Sequence, residues 1–501
     1  MIERVSEGWW RRLQAIERWR SMLTPLTAAL CLGLAGCASI EAPPAPANVA
    51  PIAAAPRTSA GAPVSPERKR LIDAFGGEYY APSTETYLDG VLAKLAPASG
   101  ASAQPYRVAL LNSPVVNAFA LPSGDIFITR GLLALADDTS EIAAVMAHEI
   151  AHVTARHATQ RAEFEKTAAL FNRVNAQVLG QPQAADEAEA RSQLAIARFS
   201  RQQEFEADQI GIKDTANAGF DPYGASRFLT ALGEWSALRA SISGAGTADR
   251  PDMMATHPST PERISQAVAE ARQFGAPAGV GSRGRDAYLA AIDGLAFGDD
   301  PSQGVVRGTT FIHPKLGFAF EAPEGFTLEN QTSALIGVGQ AGGEALRVDS
   351  VAIADSTPVA SAIASGWIDG LKTTSVEAMQ IGGLEAATAV AQGEQWSFRL
   401  GAVRLNGRLY RLIFAARSLS PAVDSEFRAS LQSFHLINAQ DSALAAAQTI
   451  KVVAAGSTDT AESMATRMAF LSRPLDQFLI LNGLERDVPL VAGQHYKIVA
   501  E

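Results

Sequence analysis

The stretch EIAAVMAHEIAHVTARHATQRAEF, residues 141–164, contains neither glycine nor proline and follows Asp138-Thr139-Ser140. A capping side chain at Asp138, three residues before Glu141, predicts a helix that starts at Thr139 and runs on through this segment. Inside it lies His148-Glu149-Ile150-Ala151-His152. The two imidazoles project from one face, one turn apart, so both reach a single tetrahedral ion. Glu149 is rotated by about 100° around the helix and stands beside such an ion, where it can take a proton from water. The plainer alternative is two histidines on an alanine-rich helix. Chance seldom produces this pattern in a chain with only seven histidines among 501 residues.

Working outward, two ligands leave a metal site short of a third. His157 sits one position short of the metzincin spacing, and Val153-Thr154-Ala155-Arg156 lacks the glycine that turns the chain there. It is expected on the helix surface. Ser192 through Ile212 forms another helical stretch, with Glu204 and Asp208 four apart on one face. Glu204 can complete a His-His-Glu set while Asp208 accepts the spare N–H of a ligand histidine; equally, the two can form a solvated acidic face, and spacing does not choose. Upstream, Arg107–Asn112 and Asp125–Thr129 read as strands, with Pro122-Ser123-Gly124 as a turn.

Three segments decide further: NSPVVNAFALPSGDIFITRGLLALADDTSEIAAVMAHEIAHVTARH (112–157), RQQEFEADQIGI (201–212) and HPSTPER (257–263). In this order, across roughly residues 67–270, they closely resemble the gluzincin metallopeptidase family that includes the CAAX prenyl proteases, HtpX and periplasmic lipoprotein-type proteases of Gram-negative bacteria. The resemblance implies one zinc ion per chain held by His148, His152 and Glu204. It implies Asp208 behind a ligand and Glu149 as the general base. It also places His257 and Arg263 at the cleft, one of them binding the scissile carbonyl oxygen as it becomes an oxyanion, or His257 on the metal in a resting form. For either residue alone, a loop position with Arg263 as surface charge is the alternative. Asn117, Ala118 and Phe119 are expected to border the cleft, where an edge strand pairs with extended substrate backbone. A turn residue bonded to backbone is the second reading of Asn117. Many members of the family span the membrane; this chain has no apolar run of that length after its first forty residues and resembles the soluble, periplasmic branch.

Residues 1–36 read as a targeting segment: Arg4, Arg11, Arg12, Arg18 and Arg20 precede the apolar run Met22–Leu34 and the tetrapeptide Leu34-Ala35-Gly36-Cys37. The tetrapeptide resembles the lipobox of bacterial lipoproteins and implies lipidation of Cys37, with an uncleaved anchor as the alternative. Residues 37–66 form a Pro/Ala-rich tether. The peptidase-like domain is expected over 67–275. A middle domain over 286–437 carries a hairpin around Asn406-Gly407 and a helix with Phe427 and Leu431 on one face. It faintly resembles the PsbP-like α/β/α domain, and its His313 and His435 read as structural. A polar, alanine-rich stretch around Asn438 to Gln448 is expected to isolate residues 449–501, which read strand, helix, helix, strand and look like a LysM module, which implies affinity for peptidoglycan. Gly456-Ser457-Thr458-Asp459-Thr460 departs from that module's usual Gly-Asp-Thr opening.

The fold class expected is therefore α+β and multidomain: a helix-rich zincin-type peptidase domain, a middle domain with an antiparallel sheet, and a small βααβ unit. A hydrophobic fraction of 47% supports several cores, and a net charge of −10 with 19% charged residues argues against a nucleic-acid binder. The only cysteines, Cys31 and Cys37, precede the folded body, which excludes a disulfide framework and a cysteine metal site there. No phosphate-binding loop of the G-x-x-x-x-G-K-[ST] type occurs, so the expected function is ATP-independent zinc endopeptidase action on misfolded or unassembled proteins of the bacterial cell envelope. The expected location is the periplasmic side, as an outer-membrane lipoprotein. A chaperone-like client binder and a cell-wall-anchored scaffold are the alternatives.

Overall fold

The computed structural model describes residues 65–100, 104–167, 182–243, 253, 257–274, 282–340, 343–365, 372–393, 395–469 and 472–501. The targeting segment, Cys37 and the Pro/Ala-rich tether lie outside the described residues. The first domain runs α1 (Pro66–Ala74), α2 (Pro82–Ala98), β1 (Arg107–Leu111), β2 (Ala118–Ala120), β3 (Asp125–Thr129), α3 (Arg130–Leu135), α4 (Thr139–Thr154), α5 (Pro182–Asn217), α6 (Gly224–Ser243) and α7 (Pro261–Gln273). Strand β3 is central, parallel to β1 and antiparallel to β2, which leaves β2 at one edge.

Asp138 opens α4 as its sequence position predicts. Its Oδ1 accepts the Glu141 N–H at 3.0 Å, and Glu141 Oε2 accepts the Asp137 N–H at 2.8 Å, so two otherwise orphaned donors are satisfied. From Thr139 to Ala151 every residue of α4 is buried. The helix stops at Thr154, short of the predicted run through Phe164, because Arg156 adopts φ 57° and turns the chain before helical backbone resumes at 157–167. Helix α5 crosses α4 at Gly211, where a Cβ would stand 2.9 Å from the His148 nitrogen. Only a glycine allows that approach, and it brings the carboxylates of α5 against the histidines of α4.

The core of this domain is not its own. Leu88 and Leu92 of α2, Leu132 and Leu133 of α3, and Ile142, Met146 and Ile150 of α4 share one cluster with Tyr288, Leu289 and Ile292 of α8 (Arg285–Ile292). Ile450, Phe478, Tyr496 and Ile498 belong to the same cluster. Those last four come from β16 (Gln448–Ala454), α13 (Pro474–Leu481) and β17 (His495–Ala500), which with α12 (Ala461–Ala465) make up the C-terminal βααβ unit. Strand β16 pairs antiparallel with β17 and, on its other side, with β4 (Ala296–Phe297). Two sequence expectations are thereby corrected. Residues 285–297 belong with the first domain and the C-terminal unit, not with the middle domain. The polar stretch after Asn438 does not isolate the C-terminal unit: Asn438 caps the short helix α11 (Ala439–Leu444), and the unit beyond it docks on the first domain. Burying each large apolar side chain there contributes about 1.5–3 kcal/mol, which outweighs the flexibility implied by an alanine-rich connection.

Between them lies an antiparallel middle domain. Its seven-stranded sheet has the order β11 (Lys372–Ile381), β12 (Leu384–Gln392), β13 (Ser397–Leu405), β14 (Arg408–Ala416), β10 (Glu344–Ala352), β9 (Leu335–Gly339), β8 (Phe326–Asn330). Alternation along β14 sorts the two faces: Tyr410, Leu412 and Phe414 face a cluster with Phe427 and Leu431 of α10 (Pro421–Gln432), while Leu409, Ile413 and Ala415 face Val359 and Ile363 of α9 (Val359–Ala364). Asn406 (φ 50°) and Gly407 (φ 70°) form the expected two-residue turn between β13 and β14. A second sheet, β15 (His435–Leu436), β7 (Phe318–Glu321), β6 (Thr310–His313) and β5 (Val305–Arg307), completes the domain. Among the described residues no helix is long and apolar enough to cross a membrane.

Candidate metal centre

His148 and His152 turn their Nε2 atoms toward each other at 3.0 Å on the face of α4 that meets α5. Glu204 of α5 reaches the same point, with Oε2 3.5 Å from His148 Nε2 and Oε1 3.5 Å from His152 Nε2. A fourth group arrives from the segment ahead of α7: His257 Nδ1 lies 2.9 Å from Glu204 Oε2 and 3.2 Å from His148 Nε2. One ligand atom from each of these four residues falls within 4.8 Å of all the others.

The donor set passes a physical test for a cation. Glu204 is buried, and its Oε1 has no hydrogen-bond partner. Three imidazole nitrogens converge on that carboxylate, an arrangement that protons alone satisfy poorly and a tetrahedral N/O-preferring ion such as zinc satisfies well. Charge balance agrees. Burial pushes the His148 pKa down, yet hydrogen bonds and charge from Asp208 and Glu204 overcome this and hold it up at about 10. Burial pushes Glu204 up, and His257 and His148 reverse this, leaving its carboxyl well below the ordinary range. His152 is driven well below its ordinary value by burial and by the positive charge of its neighbours. The site thus favours one added positive charge.

Around the four, a shell of polar groups fixes orientation. Asp208 Oδ1 stands 3.0 Å from His148 Nδ1, on the side of the ring away from the cluster. Arg263 is, with His257, one of the two residues that the resemblance offers for the scissile carbonyl. Its Nε and Nη2 donate to the two oxygens of Asp208 at 2.7 and 2.8 Å, and Nη1 donates to the Pro258 carbonyl at 3.0 Å and lies 3.1 Å from Glu204 Oε2. Buried and fully engaged, the guanidinium anchors the acids of α5. Glu149 is buried beside the cluster, its Oε1 3.7 Å from His257 Nε2. Burial raises its pKa, against the opposing charges of His257 and His148 and a hydrogen bond from the Ala120 backbone.

Asn117, Ala118 and Phe119 lie at and along β2. The Asn117 N–H donates to Thr129 Oγ1 at 3.0 Å and its carbonyl accepts the Thr129 N–H at 3.1 Å, so this residue ties β2 to the end of β3. Ala118 is fully buried. Phe119 stacks on Phe127 at 4.9 Å, in a cluster with Phe75 on the far side of the strand. What β2 offers is its backbone edge away from β3, where the Ala120 N–H meets Glu149. Two further residues escaped the sequence reading. Met253 is buried, and its N–H donates to the Val116 carbonyl at 2.9 Å, so the segment carrying His257 is pinned beside the edge strand. His157, expected on the surface, is 1% exposed, with Nδ1 3.0 Å from His152 Nδ1. No local signal announced either: Met253 meets a residue far away in sequence, and His157 depends on a chain reversal at Arg156 that no glycine marks.

Comparison with known proteins bears on this geometry directly. Residues 82–271, the span that holds every residue of the cluster, match the model of peptidase family M48. That segment is similar to an M48 peptidase domain. The beta-barrel assembly-enhancing protease of Yersinia pestis is 31% identical over 236 residues, covering 43% of this chain and 46% of that protein. Its Escherichia coli counterpart is 29% identical over 277 residues, covering 51% and 53%. The mitochondrial metalloendopeptidase OMA1 of Schizosaccharomyces pombe is 31% identical over 193 residues, 37% of this chain and 52% of that one. The chain spans about half the length of the curated relatives it matches. Among solved structures, cyanobacterial PsbP from Synechocystis aligns at a TM-score of 0.23 and 16% identity over 26% of this chain and 94% of that chain, too weak a likeness to assign the middle domain.

Proposed function

We propose that the chain is an ATP-independent zinc metalloendopeptidase that cuts misfolded or unassembled proteins of the bacterial cell envelope. The single observation that carries the reading is the convergence of His148, His152 and Glu204, with Glu149 buried beside them, inside the segment that matches family M48. Zinc held by those three residues would supply Lewis acidity, polarising a carbonyl and acidifying water. The chain's own residues do the rest. Extended substrate adds to the edge of β2 away from β3 through backbone hydrogen bonds, which demands no particular side chain and suits unfolded segments. Glu149, oriented by the Ala120 N–H and with its pKa raised by burial, takes a proton from water as the oxygen adds to the carbonyl carbon. It then returns that proton to the amide nitrogen as the C–N bond breaks. Asp208 and Arg263 hold His148 in place throughout.

Envelope proteins as the substrate class follow from the resemblance of Leu34-Ala35-Gly36-Cys37 to a lipobox and from the names of the Yersinia and Escherichia relatives. In this reading Cys37 is lipidated, the protein is tethered to the outer membrane on its periplasmic side, and the LysM-like C-terminal unit meets peptidoglycan through its exposed loop Gly456-Ser457-Thr458. A second reading, a client-binding protein that seldom cuts, draws on His257: with it the cluster has four protein ligands, the closed pattern of a site with no open position. The deciding experiment incubates the zinc-loaded chain with unfolded casein. Cleavage that disappears in Glu149→Gln while zinc is retained supports the peptidase. Casein left whole by the wild type, or cut equally by the variant, removes it.

A further inference from the structure

We propose that His157 is a positioning residue for the metal site, one that fixes the tautomer of His152 and links it to Glu206; this rests on the zinc reading above. His152 turns Nε2 toward His148 and Glu204, which leaves Nδ1 facing away from the cluster. A ligand nitrogen must keep its lone pair for the ion, so the ring proton of a neutral His152 belongs on Nδ1 and needs an acceptor there. For His148 that acceptor is Asp208. For His152 it is His157 Nδ1, 3.0 Å away with the two rings at 79°. The acceptor role puts the proton of His157 on Nε2, and the nearest charge to that atom is Glu206 Oε2 at 3.5 Å. His157 Nε2 is buried and makes no hydrogen bond as placed, so among the described residues the Glu206 carboxylate is the ionic partner for an N–H there.

The surroundings show that this placement is imposed. Arg156 occupies the left-handed region at φ 57°, a conformation that costs a residue with a Cβ free energy and persists where neighbouring structure demands it. Its effect is to end α4 and fold His157 back onto the last turn. Gln203 of α5 then donates Nε2 to the His157 carbonyl at 3.1 Å, locking the returned backbone against the helix that carries Glu204. The two zinc-facing histidines are thus backed differently. His148 leans on a buried carboxylate held by Arg263, whereas His152 leans on a neutral imidazole whose carboxylate, Glu206, is 53% exposed.

The test measures zinc affinity of the full-length chain by competition with a chromophoric chelator, alongside casein cleavage. His157→Phe keeps a ring against His152 and removes the nitrogen; His157→Asn removes the ring and keeps an acceptor near the same place. The expected result is about 10 to 100-fold weaker zinc binding in the phenylalanine variant, near-native binding in the asparagine variant, and a smaller loss in Glu206→Gln. Native affinity in His157→Phe overturns the proposal. Retention by phenylalanine with loss in asparagine overturns it too, because the residue then merely fills space. Should His157→Phe fail to fold by thermal melting, Glu206→Gln and His157→Asn decide, and unchanged affinity in the first with loss in the second overturns it. A wild type that binds zinc but leaves casein intact removes the peptidase reading and not this one.

Discussion

The ammonium of Lys497, on β17, donates to the carbonyl oxygen of Ala134 at 3.1 Å, and also to those of Leu135 and Ala136. These are carbonyls at the C-terminal end of α3, which have no partner within the helix and carry its negative dipole end. Two residues on, Asp138 starts α4. A fully buried cation from the C-terminal unit therefore seals the joint from which the metal-bearing helix departs.

Replacing that cation should damage the first domain as well as the C-terminal unit. Lys497→Met keeps the volume and leaves three buried carbonyls without a donor, at a cost of about 2–4 kcal/mol. Thermal unfolding is expected to shift down for both parts together, and a variant that loses only the C-terminal unit's protection from proteolysis would contradict the shared core.

Zinc retention separates the acids of α5. Glu204→Ala is expected to lose most of the metal, and Asp208→Ala to weaken binding by about 10 to 100-fold, because it only orients His148. Metal content after dialysis against a weak chelator makes the comparison.

His257 places a ring nitrogen in the same cluster as His148, His152 and Glu204. If it caps the ion, His257→Ala should keep zinc and raise casein cleavage by up to roughly 10-fold, the factor by which a cap in place nine-tenths of the time suppresses turnover. Lost cleavage with retained zinc would instead assign it to the transition state.

At Gly211 an added methyl would stand 2.9 Å from backbone at His148. Gly211→Ala should force α5 away from α4 at a cost of about 1–3 kcal/mol. Since Glu204 and Asp208 ride on the same helix, zinc affinity should fall with stability, unlike a substitution at a remote core position. Parallel melts and metal titrations test this.

In the middle domain, His313 is buried, and the Leu316 N–H points at its Nδ1 at 3.4 Å. Burial, helped by the charge of Lys315, lowers its pKa from 6.5 to about 4. Between those values the unfolded chain binds the additional proton, so this contribution is complete above about pH 6.5 and is lost as pH falls to about 4. It amounts to about 3 kcal/mol. His313→Asn keeps an acceptor without titrating, and the drop in unfolding midpoint between about pH 7 and about pH 4.5 should be smaller in the variant than in the wild type.

Local chemistry was readable from residues: the Asp138 cap, the histidine pair one turn apart, the Asn406-Gly407 turn, the strand–helix–helix–strand order after Gln448. Each needs only neighbours in sequence. What escaped depends on partners far away. Arg263 looks like a solvent-facing cation until α7 is laid beside α5, where Asp208 takes both arms of its fork. His157 looks exposed until Arg156 turns the chain without a glycine. An alanine-rich connector after Asn438 looks like a boundary because nothing nearby reveals that Phe478 and Tyr496 join the core of the first domain.

Translation runs in one direction, and Lys497 is made 363 positions after the carbonyl it bonds at Ala134. While the ribosome is still making the middle domain, α4 exists with part of its apolar surface open to water. Closure over such a separation is the slow kind of folding event. The helix that carries His148 and His152 therefore gains its full support late, after β17 has been made. A nascent molecule stalled before β17 holds His148, His152, Glu204 and His257 on an unsealed frame, so the cluster gains its rigid backing only once that strand has docked.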